Sequence, residues 1–209
     1  MPFTTDTYCE HFTSPLPALH QEVLEYTLQY HTQAHMVSGH LQGQLLRFLS
    51  AMLRPLRVLE VGTFTGFSAL CLAEGLMPQS LLYTIELREQ DAALAQSFFA
   101  RSPWSHQIRS LVGHAAGIIP QLTESWDLVF IDADKTGYIN YYNLLIARLS
   151  TNGLLLADNI LFHGEVLQEP VAGKNAKAIA AFNAHVQADE RVEQLSLPVR
   201  DGLMLVRKR

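Results

Sequence analysis

Two short stretches hold oxygen-donor side chains at the ends of apolar runs: Ile131-Asp132-Ala133-Asp134-Lys135 and Ala157-Asp158-Asn159. Asp132, Asp158 and Asn159 supply only oxygen donors, a set that prefers a hard divalent cation (Mg²⁺, Ca²⁺ or Mn²⁺) to zinc. Three such ligands in an octahedron leave room for substrate oxygens and water. A single Asp or Asn at the end of a strand is more simply a helix cap. Asp132, Asp134, Lys135, Asp158 and Asn159 together favour a site. Lys135 is a candidate general base, because neighbouring cations lower a lysine pKa. Its competing explanation is an ordinary ion pair with Asp134.

A second constellation lies upstream. Glu60-Val61-Gly62-Thr63-Phe64-Thr65-Gly66-Phe67-Ser68 joins an apolar run to a helical pattern, and Glu86 ends the next apolar run. Gly62 lets the chain turn where a Cβ would block a ligand. The helix start at Gly66 to Ser68 offers free N–H groups to a carboxylate or phosphate. In nucleotide-binding α/β folds an acid at the position of Glu86 accepts hydrogen bonds from ribose hydroxyls. Dinucleotides require G-x-G-x-x-G, whereas this loop has Gly62-x-x-x-Gly66 with Thr63 and Phe64 between. A cofactor with a ribose but no phosphate fits better, which points to S-adenosylmethionine.

These residues need a scaffold of alternating strands and helices. Helical stripes run over Leu16–Gln33 and Gly39–Leu53, the second with Leu41, Leu45, Phe48, Leu49 and Met52 inward. Short buried strands follow at Arg57–Val61, Leu81–Glu86, Ile108–Val112, Trp126–Ile131 and Gly153–Ala157, with helices between them. Two last strands, near Val192–Pro198 and Gly202–Val206, flank Arg200-Asp201-Gly202 and suit an antiparallel hairpin. The alternation predicts a doubly wound, mostly parallel sheet of seven strands. It reads as one domain over 1–209, with a helical extension at 1–54 and an α/β core at 55–209.

Composition narrows the function classes. The 209 residues are 48% hydrophobic and 17% charged, with a net charge of −5, which disfavours a broadly basic nucleic-acid surface. Two cysteines, Cys9 and Cys71, are too few for a disulfide scaffold and suit a reducing, cytoplasmic compartment. No signal peptide and no membrane span are read from the sequence. His31 and His35, spaced i,i+4, are read as a polar helix face rather than metal ligands, and Arg207-Lys208-Arg209 as a solvated tail.

The stretches Val58 to Ser68, Phe130 to Lys135 and Leu156 to Asn159 resemble the caffeoyl-CoA O-methyltransferase family. Its members are cation-dependent and S-adenosylmethionine-dependent, and are related to catechol O-methyltransferase. Gly43-Gln44-Leu45-Leu46 and Leu197-Pro198-Val199-Arg200-Asp201-Gly202-Leu203 also match, so the likeness runs from about Met36 to the end. It implies a Rossmann-like class I methyltransferase fold and a homodimer. It also implies that Gly62, Thr63 and Ser68 hold the methionine end of the cofactor, with Glu60 supporting the loop and Val37 alongside. Glu86 would take the ribose hydroxyls, and backbone at Ala115 the adenine side. Asp132, Asp158 and Asn159 would bind the metal, Mg²⁺ first. Lys135 matches the catalytic lysine, with Asp132 also near the cofactor amino group, and Asp134 and Phe162 would face the substrate.

The sequence departs from the family at His114, where many relatives have Asp, and at Phe162-His163, where plant members carry Trp. Features that bind an acyl-CoA are not evident. The implied reaction is methyl transfer to an oxygen of a small aromatic vicinal diol. The alternatives are methylation of a hydroxylated uridine in transfer RNA and a cofactor-binding module without turnover.

Overall fold

Short runs of Val, Leu, Ile and Phe, each stopped by glycine, acid or a turn, become the strands. The computed structural model describes residues 4–209. It forms β1 (Arg57–Val61), β2 (Leu81–Glu86), β3 (Ile108–Val112), β4 (Trp126–Ile131), β5 (Leu149–Asp158), β6 (Val192–Leu197) and β7 (Leu203–Lys208). The order β3-β2-β1-β4-β5-β7-β6 makes one seven-stranded sheet. The pairs β1–β4, β4–β5 and β2–β3 are parallel, and β7 is antiparallel to β5 and β6. The doubly wound sheet with a terminal hairpin is therefore present. The helices are α1 (Thr5–His11), α2 (Ala18–Tyr30), α3 (Gly39–Leu53), α4 (Phe67–Ala73), α5 (Glu89–Phe99), α6 (Ala115–Ile118), α7 (Tyr138–Ile146) and α8 (Lys174–Gln187). Among the described residues, no helix is long and apolar enough to cross a membrane.

The described chain divides into two compact units, one of residues 4–56 and 63–112, the other of residues 57–62 and 113–209. In the first unit, β2 pairs with β3 in the register Leu82↔Ile108 to Glu86↔Val112, with α5 packed against both strands and α4 against β2.

Helix α3 docks on α4 through a face that hydrophobicity alone misidentifies. Phe48 and Met52, expected inward, are 59% and 69% exposed. The buried face is Gln42, Gly43, Gln44, Leu46 and Ser50. Small residues decide this. A Cβ on Gly43 would lie 2.5 Å from the Phe67 ring, and a Cβ on Gly75 would run into the Ser50 carbonyl. The Ser50 hydroxyl donates to the Leu72 carbonyl at 2.5 Å. Gln44 is satisfied by donating to the carbonyls of Ser14 and Pro15 at 2.5 and 3.0 Å, which removes the cost of burying an amide. Helix α2 stops at Tyr30, short of the expected Gln33, so His31 and His35 do not share a helix face.

In the second unit, β1, β4 and β5 run parallel in the registers Val61↔Ile131 and Ile131↔Ala157. Their carboxyl ends therefore lie side by side, with Gly62, Asp132 and Asp158 the residues that close them. Leu128 to Ile131 are fully buried, as expected for a central strand covered on both faces. The terminal hairpin pairs β6 with β7 from Val192↔Lys208 to Leu197↔Leu203. Arg207 is not a free tail: it donates to Glu193 across that hairpin at 2.6 Å, and Lys208 Nζ donates to the Leu149 carbonyl at 2.7 Å.

Candidate active site

The oxygen cluster is assembled by strand register. Asp132 N donates to the Val61 carbonyl at 2.9 Å, one step beyond the β1–β4 ladder. Lys135, in the 3₁₀ turn that follows, folds back over the strand end. Its Nζ donates to Asp132 Oδ1 at 3.0 Å, Asn159 Oδ1 at 2.7 Å and the Tyr138 hydroxyl at 2.9 Å. The partner of Lys135 is therefore Asp132, not Asp134. Asp134 accepts instead from the Tyr141 hydroxyl at 2.5 Å and from Thr136 at 3.3 Å. That hydrogen bond does not leave Tyr141 easier to ionise: burial raises its pKa first, and the Asp134 carboxylate adds to the rise.

Burial pulls the Lys135 ammonium down, but Tyr138 and Asp132 push it up by more, and the net shift is above the ordinary lysine value. Lys135 is a held cation here. Tyr138 is fully buried, and its hydroxyl lies 3.0 Å from the Asp158 carbonyl and 3.2 Å from that of Ile131, tying together the ends of β4 and β5. Burial raises its own pKa, an effect that Lys135 opposes and the carboxylates of Asp132 and Asp158 reinforce.

Asn159 sits at φ 57, a left-handed conformation that asparagine tolerates better than most residues. Its backbone N–H donates to Asp158 Oδ1 at 2.8 Å. Among the described residues no group of three or more His, Cys, Asp or Glu side chains forms a metal cluster. The oxygen set is two carboxylates and an amide. A divalent cation fits it on chemical grounds, since Asp132 Oδ1 and Asn159 Oδ1 already converge on one positive charge, the Lys135 ammonium.

The glycine loop has a reason that the sequence does not disclose. Gly62 has φ +105, and a Cβ there would fall on the Asp132 carbonyl oxygen. Gly66 has φ +92, and a Cβ there would lie 2.7 Å from the Phe99 ring. Protein atoms by themselves already exclude side chains at both positions. Helix α4 starts at Phe67 without a side-chain cap.

In the first unit the loop is held on β2. Thr63 N donates to the Ile85 carbonyl at 3.2 Å, and the Thr63 and Thr84 hydroxyls are hydrogen-bonded to each other. Glu86, 6% exposed, accepts from Phe64 N on Oε2 at 2.7 Å and from Arg88 N on Oε1 at 3.0 Å. One carboxylate thus fixes both the loop and the start of α5, and keeps lone pairs for a further donor. Arg88 lies over the Phe64 ring, 5.4 Å from its centroid, and pairs with Asp91 at 2.7 Å. His31, at the end of α2, reaches Asp91 at 3.1 Å and meets the Phe64 ring edge-on at 4.5 Å. The His31–Phe64–Arg88–Asp91 layer was invisible in the sequence, because its members lie on three separate elements.

Of the remaining site residues, Val37, Glu60, Ser68 and Ala115 are buried, Asp134 is exposed and Phe162 is half-buried against His163 at 5.2 Å. Ala115 opens α6, with His114 at its N-cap and no side-chain cap hydrogen bond. Tyr138, Tyr141 and Arg88 were not singled out from the sequence. The one available signal was Tyr138 three residues after Lys135, within reach on a helical turn.

A family model described as O-methyltransferase matches residues 10–209. A catechol O-methyltransferase of Niastella koreensis is 34% identical over 157 residues, covering 73% of this chain and 71% of that protein. A caffeoyl-CoA O-methyltransferase of Petunia hybrida is 29% identical over 179 residues, covering 80% and 74%. Among solved structures, the SAH-bound methyltransferase PaMTH1 of Podospora anserina superposes with a TM-score of 0.90 at 28% identity, covering 100% of this chain and 98% of that one.

Proposed function

This chain belongs to the O-methyltransferase family, and from that premise we propose that it transfers a methyl group from S-adenosylmethionine to a hydroxyl oxygen of a small aromatic vicinal diol, assisted by a divalent cation. The observation that carries the cation is the convergence of Asp132 Oδ1 and Asn159 Oδ1 on a single positive charge beside Asp158. The acceptor class is supported by the catechol O-methyltransferase relative at 34% identity. The donor is supported by the SAH-bound structural relative and by an acid at the end of β2 with lone pairs to spare.

Asp132, Asp158 and Asn159 would hold the cation, Mg²⁺ first. When bound, S-adenosylmethionine supplies an electrophilic methyl and the cation acidifies a coordinated hydroxyl. Glu86 takes the ribose hydroxyls while holding the loop. The family resemblance assigns Gly62, Thr63, Ser68, Glu60, Val37 and Ala115 to binding the rest of the cofactor. Lys135 would accept the proton of the reacting hydroxyl as a neutral amine, after its ammonium, displaced from Asp132 and Asn159 by the cation's positive charge, has released a proton to solvent. Tyr138 keeps it at hand. Asp134 and Phe162 border the acceptor, and much of the rate gain is alignment of the two reactants. A homodimer in the cytoplasm completes the reading, supported by exposed Phe48, Met52 and Leu56 near the end of α3.

The test is chelator-treated protein with S-adenosylmethionine and caffeic acid, with and without Mg²⁺, the product followed by mass spectrometry. Asp158→Ala should lower turnover by about 10- to 100-fold or more. Metal-independent product would remove the cation from the reaction. Cofactor binding without product would exclude the catechol acceptor, and absence of cofactor binding would overturn the reading as a whole.

A further inference from the structure

Asp201 lies in the turn between β6 and β7, and the reaction described above gives it no task. Its side chain is 17% exposed, and both of its oxygens are directed at the segment that follows β5. Oδ2 accepts from Asn159 Nδ2 at 3.1 Å, and Oδ1 accepts from His163 N at 2.6 Å. The backbone reinforces this contact. Leu161 N donates to the Asp201 carbonyl at 3.0 Å, and Ile160 N to the Gly202 carbonyl at 3.1 Å. A Cβ on Gly202 would lie 2.6 Å from the Leu161 side chain, so the turn comes this close only with glycine there.

An asparagine amide has two ends of nearly equal shape and opposite character: an oxygen that accepts and an NH₂ that donates. A carboxylate only accepts. Asp201 therefore permits one of the two amide orientations, with NH₂ toward itself. The Asn159 oxygen is then left facing the Lys135 ammonium at 2.7 Å. The opposite orientation would set oxygen against carboxylate on one side and N–H against a cation on the other.

We infer that Asp201 is a positioning residue that fixes the polarity of the Asn159 amide, so that the chain offers oxygen rather than N–H to a divalent cation. The inference rests on the cation reading above. It assigns to the terminal hairpin a part in building the site at the end of β5. Outer partners of metal ligands commonly contribute about 10- to 100-fold to affinity.

The experiment is a Mn²⁺ titration of the full chain followed by the electron paramagnetic resonance signal of the free ion, without cofactor or acceptor. Asp201→Asn keeps the shape and the bond to His163 N, and so turns its own NH₂ toward Asn159, whose amide must reverse. Mn²⁺ affinity should fall about tenfold or more. Exchanging the pair, Asn159→Asp with Asp201→Asn, restores an acceptor facing a donor and leaves an oxygen for the cation. Its affinity should return to within about threefold of the wild type, the sign of coupling between the two positions. Wild-type affinity in Asp201→Asn, or a folded exchange variant no tighter than that single variant, overturns the inference. If thermal melting shows Asp201→Asn unfolded, the folded exchange variant decides alone, and binding weaker than wild type by tenfold refutes it. Wild-type protein that binds no Mn²⁺ would instead sink the cation reading itself.

Discussion

Replacing Glu86 by glutamine keeps the shape of a buried side chain and removes its charge, so the effect falls on its hydrogen bonds and on the ion pair with Arg88 Nε at 3.6 Å. The carboxylate offers about four lone-pair positions, and two already serve Phe64 N and Arg88 N at 2.7 and 3.0 Å. The proposed ribose hydroxyls would use the others. Glutamine offers about two acceptor positions, both on one oxygen, and turns an NH₂ toward one of the backbone donors. At least one ribose hydroxyl loses its acceptor. A hydrogen bond to a charged group is worth about 1.5–3 kcal/mol, which corresponds to roughly 10- to 100-fold weaker binding. Isothermal titration with S-adenosylhomocysteine reads this directly. The melting temperature should fall as well, since one backbone donor in the loop meets a donor instead of an acceptor. Folded Glu86→Gln protein that binds within about twofold of wild type, less than one ordinary hydrogen bond, would refute the assignment of Glu86 to the ribose.

Gly62→Ala should destabilise the fold by about 3 kcal/mol or more, from a left-handed backbone and an overpacked strand end; urea denaturation measures it, and a change under about 1 kcal/mol would show that the Asp132 carbonyl can move aside. His20 is buried 3.6 Å from Glu74, and burial pulls its pKa below the ordinary 6.5, an effect only partly offset by Glu74. The unfolded chain then binds more protons than the native state below about pH 6.5, so stability is complete above that value and declines toward acid by at most about 1.4 kcal/mol per pH unit. The urea midpoint measured from pH 7.5 to 5 should decline less in His20→Gln than in wild type, and identical slopes would refute the assignment.

Much of the fold is written in local pattern. Arg57–Val61, Leu81–Glu86, Ile108–Val112 and Trp126–Ile131 are strands at the bounds that their short apolar runs indicate; the reason is plainest at Leu128–Ile131, an apolar run buried on both faces, whereas Ile108–Val112 is an edge strand with Arg109 and Val112 exposed. Gly39–Leu53 is a helix from end to end, yet its buried face is the one with Gln42, Gly43, Gln44 and Ser50. Hydrophobicity predicts which residues prefer burial, whereas close packing selects the face that lets α4 approach. The same distinction runs through the candidate site. Asp132, Lys135 and Asn159 were legible as a group because strand register brings the ends of β4 and β5 together, and residue type restricts what those ends can bind. Asp201 was visible as a turn residue without a task, and Tyr138 and Tyr141 were not singled out at all. Their roles depend on contacts across 3 to 42 residues of chain, and no spacing rule encodes the longer of these. The sequence by itself determined which oxygens, charges and glycines were available and the strands that carry them. Only the tertiary structure decided which acid holds Lys135, which carbonyl requires Gly62 to be glycine, and which way the Asn159 amide faces, because hydrogen-bond direction and steric exclusion act between atoms that only folding makes neighbours.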